Sequence, residues 1–216
     1  MYREMRPPPG LSHLACGWVS DGGPADVLPD ACVDVVLGAG RLVVAGPATS
    51  AVRVASTPGQ HGCGVRFRVG LAGAALGAPV DALRDRTVPL EDLWGTEGRR
   101  LSLRVSQAPS ADAALGVLLR GLAHPRAAVD PVARRAVLLS TRRPFAEVSR
   151  ELGFSERQLR RRVEHAVGYG PRMLLRVLRL QRFLQASNAR PEAPWPSWPP
   201  RLATPTRRTW LETAVA

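Results

Sequence analysis

Three arginines, Arg157, Arg160 and Arg161, stand at i, i+3 and i+4 in the stretch ERQLRRRVEHA (156–166). Leu159, Val163 and Ala166 interleave with them at i, i+4 and i+7. On a helix of 3.6 residues per turn the two sets fall on opposite sides, so a helix held by its apolar side offers guanidinium groups to a groove. The forked guanidinium matches both guanine edges and phosphates in pairs of hydrogen bonds, which makes nucleic-acid recognition the chemistry to weigh first. The plainer alternative is a helical bundle with a solvated basic surface. A second constellation is thiol chemistry, with Cys32 or Cys63 as nucleophile and His61 as base. His61 and Cys63, at i and i+2, share one face of a strand, but no oxyanion-stabilising or orienting group accompanies them, so the chain is not expected to be an enzyme. Cys32 and Asp34 also share a strand face, which suits a pocket or, more simply, a small core residue and a structural hydrogen-bonder. Three cysteines (Cys16, Cys32, Cys63), with no CxxC and no Cys/His ligand spacing, argue against a disulfide framework or a zinc site, and a reducing cytoplasm is the default; no metal and no cofactor are expected.

Charge points to the same segment as the arginine spacing. The 216 residues carry 30 basic and 18 acidic side chains. Residues 1–133 hold 13 Arg and 12 acids, a net of +1, whereas residues 134–190 hold 14 Arg and 4 acids, a net of +10. A basic field so localised is the footprint of a phosphate binder, since neutralising phosphates releases condensed counterions. Every basic residue is Arg, Ile is absent and Asn188 is the sole Asn. Lys, Ile and Asn have AT-rich codons, so the choice of Arg over Lys reflects a GC-rich gene first and chemistry only where position supports it. No apolar run approaches the roughly 18–20 residues of a membrane span, and MYREMRPPPG lacks the apolar stretch of a secretory signal.

The elements that must position these groups divide the chain. Up to Gly70, short apolar stretches recur between Gly, Pro and Asp: LACGWVS (14–20), ACVDVVL (31–37), RLVVAG (41–46), AVRVA (51–55) and GVRFRVG (64–70). The last alternates, with Val65, Phe67 and Val69 on one side and Arg66 and Arg68 on the other, which predicts a half-buried strand. Beyond Gly70 the spacing turns helical over 79–86, 90–106 and 110–123, with Ser110 as N-cap; Asp130-Pro131 opens a further helix with Asp as N-cap and Pro at N1. Ala146–Leu152 forms a short helix with Val148 and Leu152 inward. Gly153-Phe154-Ser155 is the turn: Gly153 for a left-handed end, Phe154 as a plug between helices, Ser155 as cap of the next helix.

VSRELGFSERQLRRRVEHAVGYGP (148–171) resembles the first helix-turn-helix of AraC/XylS-type bacterial transcription regulators. The likeness runs over 144–187 and includes Ser149 at the small-residue position, Gly153 at the turn and the Gly168-Tyr169-Gly170-Pro171 bend. The resemblance implies a second helix reading the major groove of double-stranded DNA through Arg157, Arg160 and Arg161, with Ser155, Arg142, Arg143, Arg162 and Arg172 toward phosphates. VLPDACVDVVL, RLVVAGPAT and GVRFRVGLAGAALGAPVDALRDRTVPLEDLWG resemble, more loosely, an uncharacterised domain preceding that motif in many actinobacterial regulators. That likeness implies an effector or oligomerisation domain, cupin-like in shape, with a small-molecule effector and a homodimer as the partners it allows. The fold class expected is α+β, with a β-rich domain over 1–106, a helical connector over 107–126 and a helix-turn-helix domain over 127–188.

The family's second motif should follow the helix at 172–186, where Met173, Val177, Leu180 and Leu184 form one face and Arg172, Arg176, Arg179 and Arg182 another. Instead six of the 20 Pro and three of the five Trp fall within 191–216, a segment that cannot build two helices and is expected to be a disordered tail over 189–216. Shifting the tail's reading frame by one nucleotide lets PSWPPRLATPTRRTWLETAVA be back-read as AELAAAAGYADQAHLARDCRR, which looks like the start of the missing motif. A frameshift near Pro191–Pro194 is therefore expected. One small module buries only about 600–1,000 Å² on DNA, so binding should weaken toward roughly 10⁻⁴–10⁻⁶ M. Leu180, Phe183 and Leu184 would lose packing partners. The second function class is a remnant that binds no DNA and whose N-terminal domain only takes a ligand or dimerises.

Overall fold

A computed structural model describes residues 2–5, 7, 11–13, 15–55 and 62–189. The expectations placed on His61 and on the tail, including the frameshift, lie outside the described residues.

Six strands form one antiparallel sheet in the order β1-β2-β7-β4-β5-β8: β1 (Tyr2–Met5), β2 (Ala15–Ser20), β4 (Val33–Gly38), β5 (Arg41–Ala45), β7 (Gly62–Phe67) and β8 (Thr87–Pro89). β3 (Ala25–Val27) and β6 (Val52–Val54) pair separately. Helices follow: α1 (Ala72–Leu76), α2 (Leu90–Trp94), α3 (Thr96–Ser106), α4 (Ala111–Gly121), α5 (Pro131–Ser140), α6 (Phe145–Glu151), α7 (Glu156–Val167) and α8 (Pro171–Ala189). The result is an α+β chain in which a sheet precedes a run of helices.

Alternation decides which sheet face is covered. Ala15 and Val19, Val33 and Val35, Leu42 and Val44, and Val65 and Phe67 point one way and pack with Leu101, Val105, Leu115 and Leu118 of α3 and α4 in one buried cluster. Ser102 Oγ accepts from the Leu42 N–H at 3.1 Å, tying α3 to β5. The helix within the segment expected as a connector, α4, thus contributes its apolar face to the sheet's own core.

The opposite face departs from the half-buried strand predicted over 64–70. Arg66 is only 4% exposed. Its cross-strand neighbour on β4 is Asp34, whose carboxylate accepts from Arg66 Nε at 3.0 Å and Nη2 at 2.8 Å. The alternation was right, but both faces of β7 are covered. β7 ends at Phe67, and Val69 leaves the sheet to pack on the second cluster.

Two helical expectations also change. Within 79–86 only Val80–Leu83 is helical, as a single 3-10 turn, because Thr87–Pro89 pairs along β5 as an edge strand. The long helix over 90–106 divides at Gly95, whose φ of 56° and ψ of −133° cannot continue a helix. Ser110 and Asp130 cap as predicted: Ser110 accepts from Ala113 N–H, and Asp130 from the N–H groups of Val132 and Ala133 with Pro131 in the first turn.

A second buried cluster gathers Ala136 and Val137 of α5, Val148 of α6, Leu159, Val163 and Val167 of α7, Tyr169, and Leu174, Val177 and Leu178 of α8. One outsider joins it, Ala31, from the loop that enters β4. In α8 the inward line is Leu174, Val177 and Leu178, rotated from the predicted Met173–Val177–Leu180–Leu184 stripe. The rotation seats Gln181 over that same loop, where its amide donates to the Pro29 carbonyl at 2.6 Å.

Candidate nucleic-acid interface

α6, the Gly153-Phe154-Ser155 turn and α7 form the segment singled out by charge. α6 starts on Pro144 and buries Val148 and Ser149; its C-terminal Leu152 is half-buried. Gly153 adopts φ +73°, a left-handed conformation that L side chains pay for, and so the chain reverses there. Phe154 packs partly buried on the second cluster. Ser155 then caps α7: its Oγ accepts from the Gln158 N–H while the Gln158 side chain accepts from the Ser155 N–H, a reciprocal capping box.

Along α7 the inward face is Leu159, Val163 and Val167, the last two no more than 1% exposed. Ala166, predicted inward, is half-buried at the edge of that face. Arg157, Arg160 and Arg161 are all exposed, Arg157 and Arg161 on the far side and Arg160 at the flank of the buried face. Arg160 Nε lies 3.4 Å from Glu164 Oε1 one turn on, whereas Arg157 and Arg161 form no ion pair among the described residues.

The flanking positions fall into two groups. Arg162 is a bracket: its Nη1 donates to Asp130 Oδ2 at 2.7 Å, and its guanidinium sits 5.1 Å from the Phe154 ring centre. It joins the α5 cap, the turn and α7. Arg143 is drawn into ion pairs with Glu147 and Glu151. The Ser155 hydroxyl is engaged in its cap, also donating to Gln158 Oε1 at 2.9 Å. Arg142 and Arg172 are exposed and make no ion pair among the described residues. Of the positions assigned to phosphate, therefore, two present open cations and three are already committed inside the protein.

Asp130 is central to this bracing. Burial alone raises its pKa, but the N–H of Ala133, the Arg162 guanidinium and the N–H of Val132 together hold it below the usual carboxylate value. Sequence spacing could find Asp130 as a cap but not as Arg162's partner 32 residues away.

The other end of α7 leans on the sheet half. The 3-10 turn Val80–Leu83 and α1 pack against it. Arg84 donates to the Gly168 carbonyl at 3.4 Å, and His165 Nδ1 is 3.7 Å from Asp81 Oδ1. Gly168, at φ +93°, packs so closely that an added Cβ would lie 2.4 Å from Pro47 Cγ.

The cysteines do not assemble with these groups. Cys63 is 1% exposed in the sheet core, and burial pushes its thiol up to about 11, away from the reactive thiolate. Cys16 is shifted the same way, chiefly by burial. Asp34 is engaged by Arg66 and by Trp18 Nε1 at 3.4 Å, the structural role weighed for it. Among the described residues no group of three metal-ligating side chains occurs, and no helix is long and apolar enough to cross a membrane.

A family model described as a domain of unknown function (DUF6597) matches residues 3–89. That span runs from β1 to the last residue of β8 and so coincides with the strands, leaving α2 to α8 outside it. No curated protein and no solved structure matches the chain.

Proposed function

We propose that this chain is a sequence-specific, DNA-binding transcription regulator of the AraC type, acting in the cytoplasm, with α6–turn–α7 as its helix-turn-helix and α7 as the helix that enters the major groove. The observation that carries this reading is the division of α7: Leu159, Val163 and Val167 buried, with Arg157 and Arg161 exposed opposite and Arg160 exposed at the flank. The capping box and the Arg162 bracket hold the helix as a rigid presenter, so little order need be gained on binding. Arg157 and Arg161 are the primary base readers, because neither is drawn into an internal ion pair; Arg160 reads by releasing Glu164. Phosphate contacts fall first to Arg142 and Arg172. In this reading the strand-rich part is the regulatory half, cupin-like in arrangement, where an effector or a second copy would act, and the four units are those drawn from the sequence. What supports a separate half is the strand-rich part's own buried cluster with α3 and α4, distinct from the cluster around α7.

A gel-shift salt titration with the full chain tests the proposal. Weak, steeply salt-dependent retention of a duplex, reduced 10-fold or more by Arg157→Ala with Arg161→Ala, is the expected result, since a bidentate base contact contributes about 1–3 kcal/mol. No retention at low salt would instead leave a remnant that binds no DNA.

A further inference from the structure

We infer that the outer face of α8 is a second phosphate-binding track, so that duplex DNA lies across both α7 and α8; this rests on the DNA-binding reading above. Arg172, Arg176 and Arg179 stand at i, i+4 and i+7, and with Arg182 all four are exposed. The buried side of the helix, Leu174, Val177 and Leu178, is turned the other way. None of the four makes an ion pair among the described residues, and the span 171–189 contains no acidic residue. Arg157 and Arg161 of α7 share this property, whereas Arg143, Arg160 and Arg162 each have a carboxylate partner.

Codon bias explains why these residues are Arg and not Lys. It does not explain why they align on one face with no counter-charge among the described residues. Like charges at i, i+3 and i+4 repel and weaken the helix that carries them, so the arrangement is favourable only against a polyanion. The α7 stripe reaches the start of α8 through the Arg160–Glu164 pair: Arg160 Nε lies 3.9 Å and Glu164 Oε1 2.9 Å from where a Cβ on Gly170 would sit, directly before α8. At about 1.5 Å rise per residue, Arg172 to Arg179 covers roughly 10 Å of axis, the rise of about three nucleotides on one strand of a duplex. Guanidinium groups at that spacing suit successive phosphates and carry no sequence information.

Fluorescence anisotropy of a labelled 30-base-pair duplex, titrated with the full-length protein across a sodium chloride series, reads the track directly. With Arg176→Gln and Arg179→Gln together, the slope of log K against log salt should fall by about 1.8, because each phosphate contact contributes about 0.9. The loss should be equal on unrelated duplex sequences, and Arg176→Lys with Arg179→Lys should restore the slope. Unchanged circular dichroism melts confirm that the variants fold. Wild-type binding whose slope the Gln pair leaves unchanged overturns the track while leaving the α7 reading intact; absence of wild-type binding overturns both. Loss of binding to vesicles containing phosphatidylserine, with duplex binding unaltered, would reassign the face to a lipid surface and overturn the proposal.

Discussion

Arg66 shows how a single side chain is settled by its neighbours. Burial opposes its charge more than any other single influence, yet Asp34 and Asp30 together override that cost and keep the guanidinium ionised. Its Nη1 has no hydrogen-bond partner among the described residues. The pair is therefore held at high cost and should fail asymmetrically. Asp34→Ala should lower stability in urea unfolding by about 3 kcal/mol, the low end of the range for breaking a buried pair, because Asp30 remains 3.7 Å from Arg66 Nε. Arg66→Met with Asp34→Leu should lose less than either single change. A single Asp34→Ala cost below about 1 kcal/mol would mean that water reaches the site. The sequence displayed the alternation VRFR and an acid within VDVVL, but not that the two would be opposite each other, since register across 32 residues is a property of the sheet.

At the scale of elements, caps carry the α5–α7 unit. Ser110, Asp130, Gly153 and Ser155 were legible because the groups they satisfy lie within four residues, so short-range sequence contains both partners. Asp130 combines this local role with the ion pair to Arg162, and its effect should depend on pH. Its folded pKa is depressed, so it contributes stability above the unfolded value of about 3.9 and loses it as pH falls through the lowered folded value. The stability difference between wild type and Asp130→Asn should thus be flat from about pH 5 to 8 and shrink below about pH 4. Asp130→Ala should cost about 1 kcal/mol at neutral pH through the cap alone. A difference that grows on acidification would contradict the assignment. Where elements were misread, as at 79–86 and 90–106, the deciding interaction was distant: β8 exists because β5 offers an edge, and apolar spacing cannot register that edge.

For the molecule as a whole, the contact between halves is the feature to test. Ala31 enters the helical core, Gln181 reaches Pro29, and the end of α7 meets the turn Val80–Leu83. These contacts, with Arg84 on the Gly168 carbonyl and Val69 on the second cluster, are routes by which the sheet half can influence α7. Gly153 and Gly168 provide a matched comparison, since both have positive φ, yet an added Cβ at Gly153 meets nothing within 4 Å and at Gly168 meets Pro47. Gly153→Ala should cost about 1 kcal/mol from backbone conformation alone. Gly168→Ala should cost about 2 kcal/mol or more and should lower amide-exchange protection on both sides of the contact, in α7 and around Pro47 and Val80. Equal effects of the two substitutions would show that the halves are not pressed together there.

Periodicity and composition alone determined the α+β order, the concentration of positive charge after residue 133, and the split of α7 into leucine–valine and arginine faces, because each depends on neighbours within a turn or two of chain. Tertiary structure decided which arginines remain available. Asp130, 32 residues from Arg162, and Glu151, eight from Arg143, withdraw two of them from the surface field, while Arg157, Arg161 and the α8 stripe have no ion-pair partner among the described residues. A guanidinium's role follows from what lies within about 4 Å of it, and the order of residues along the chain does not encode that distance.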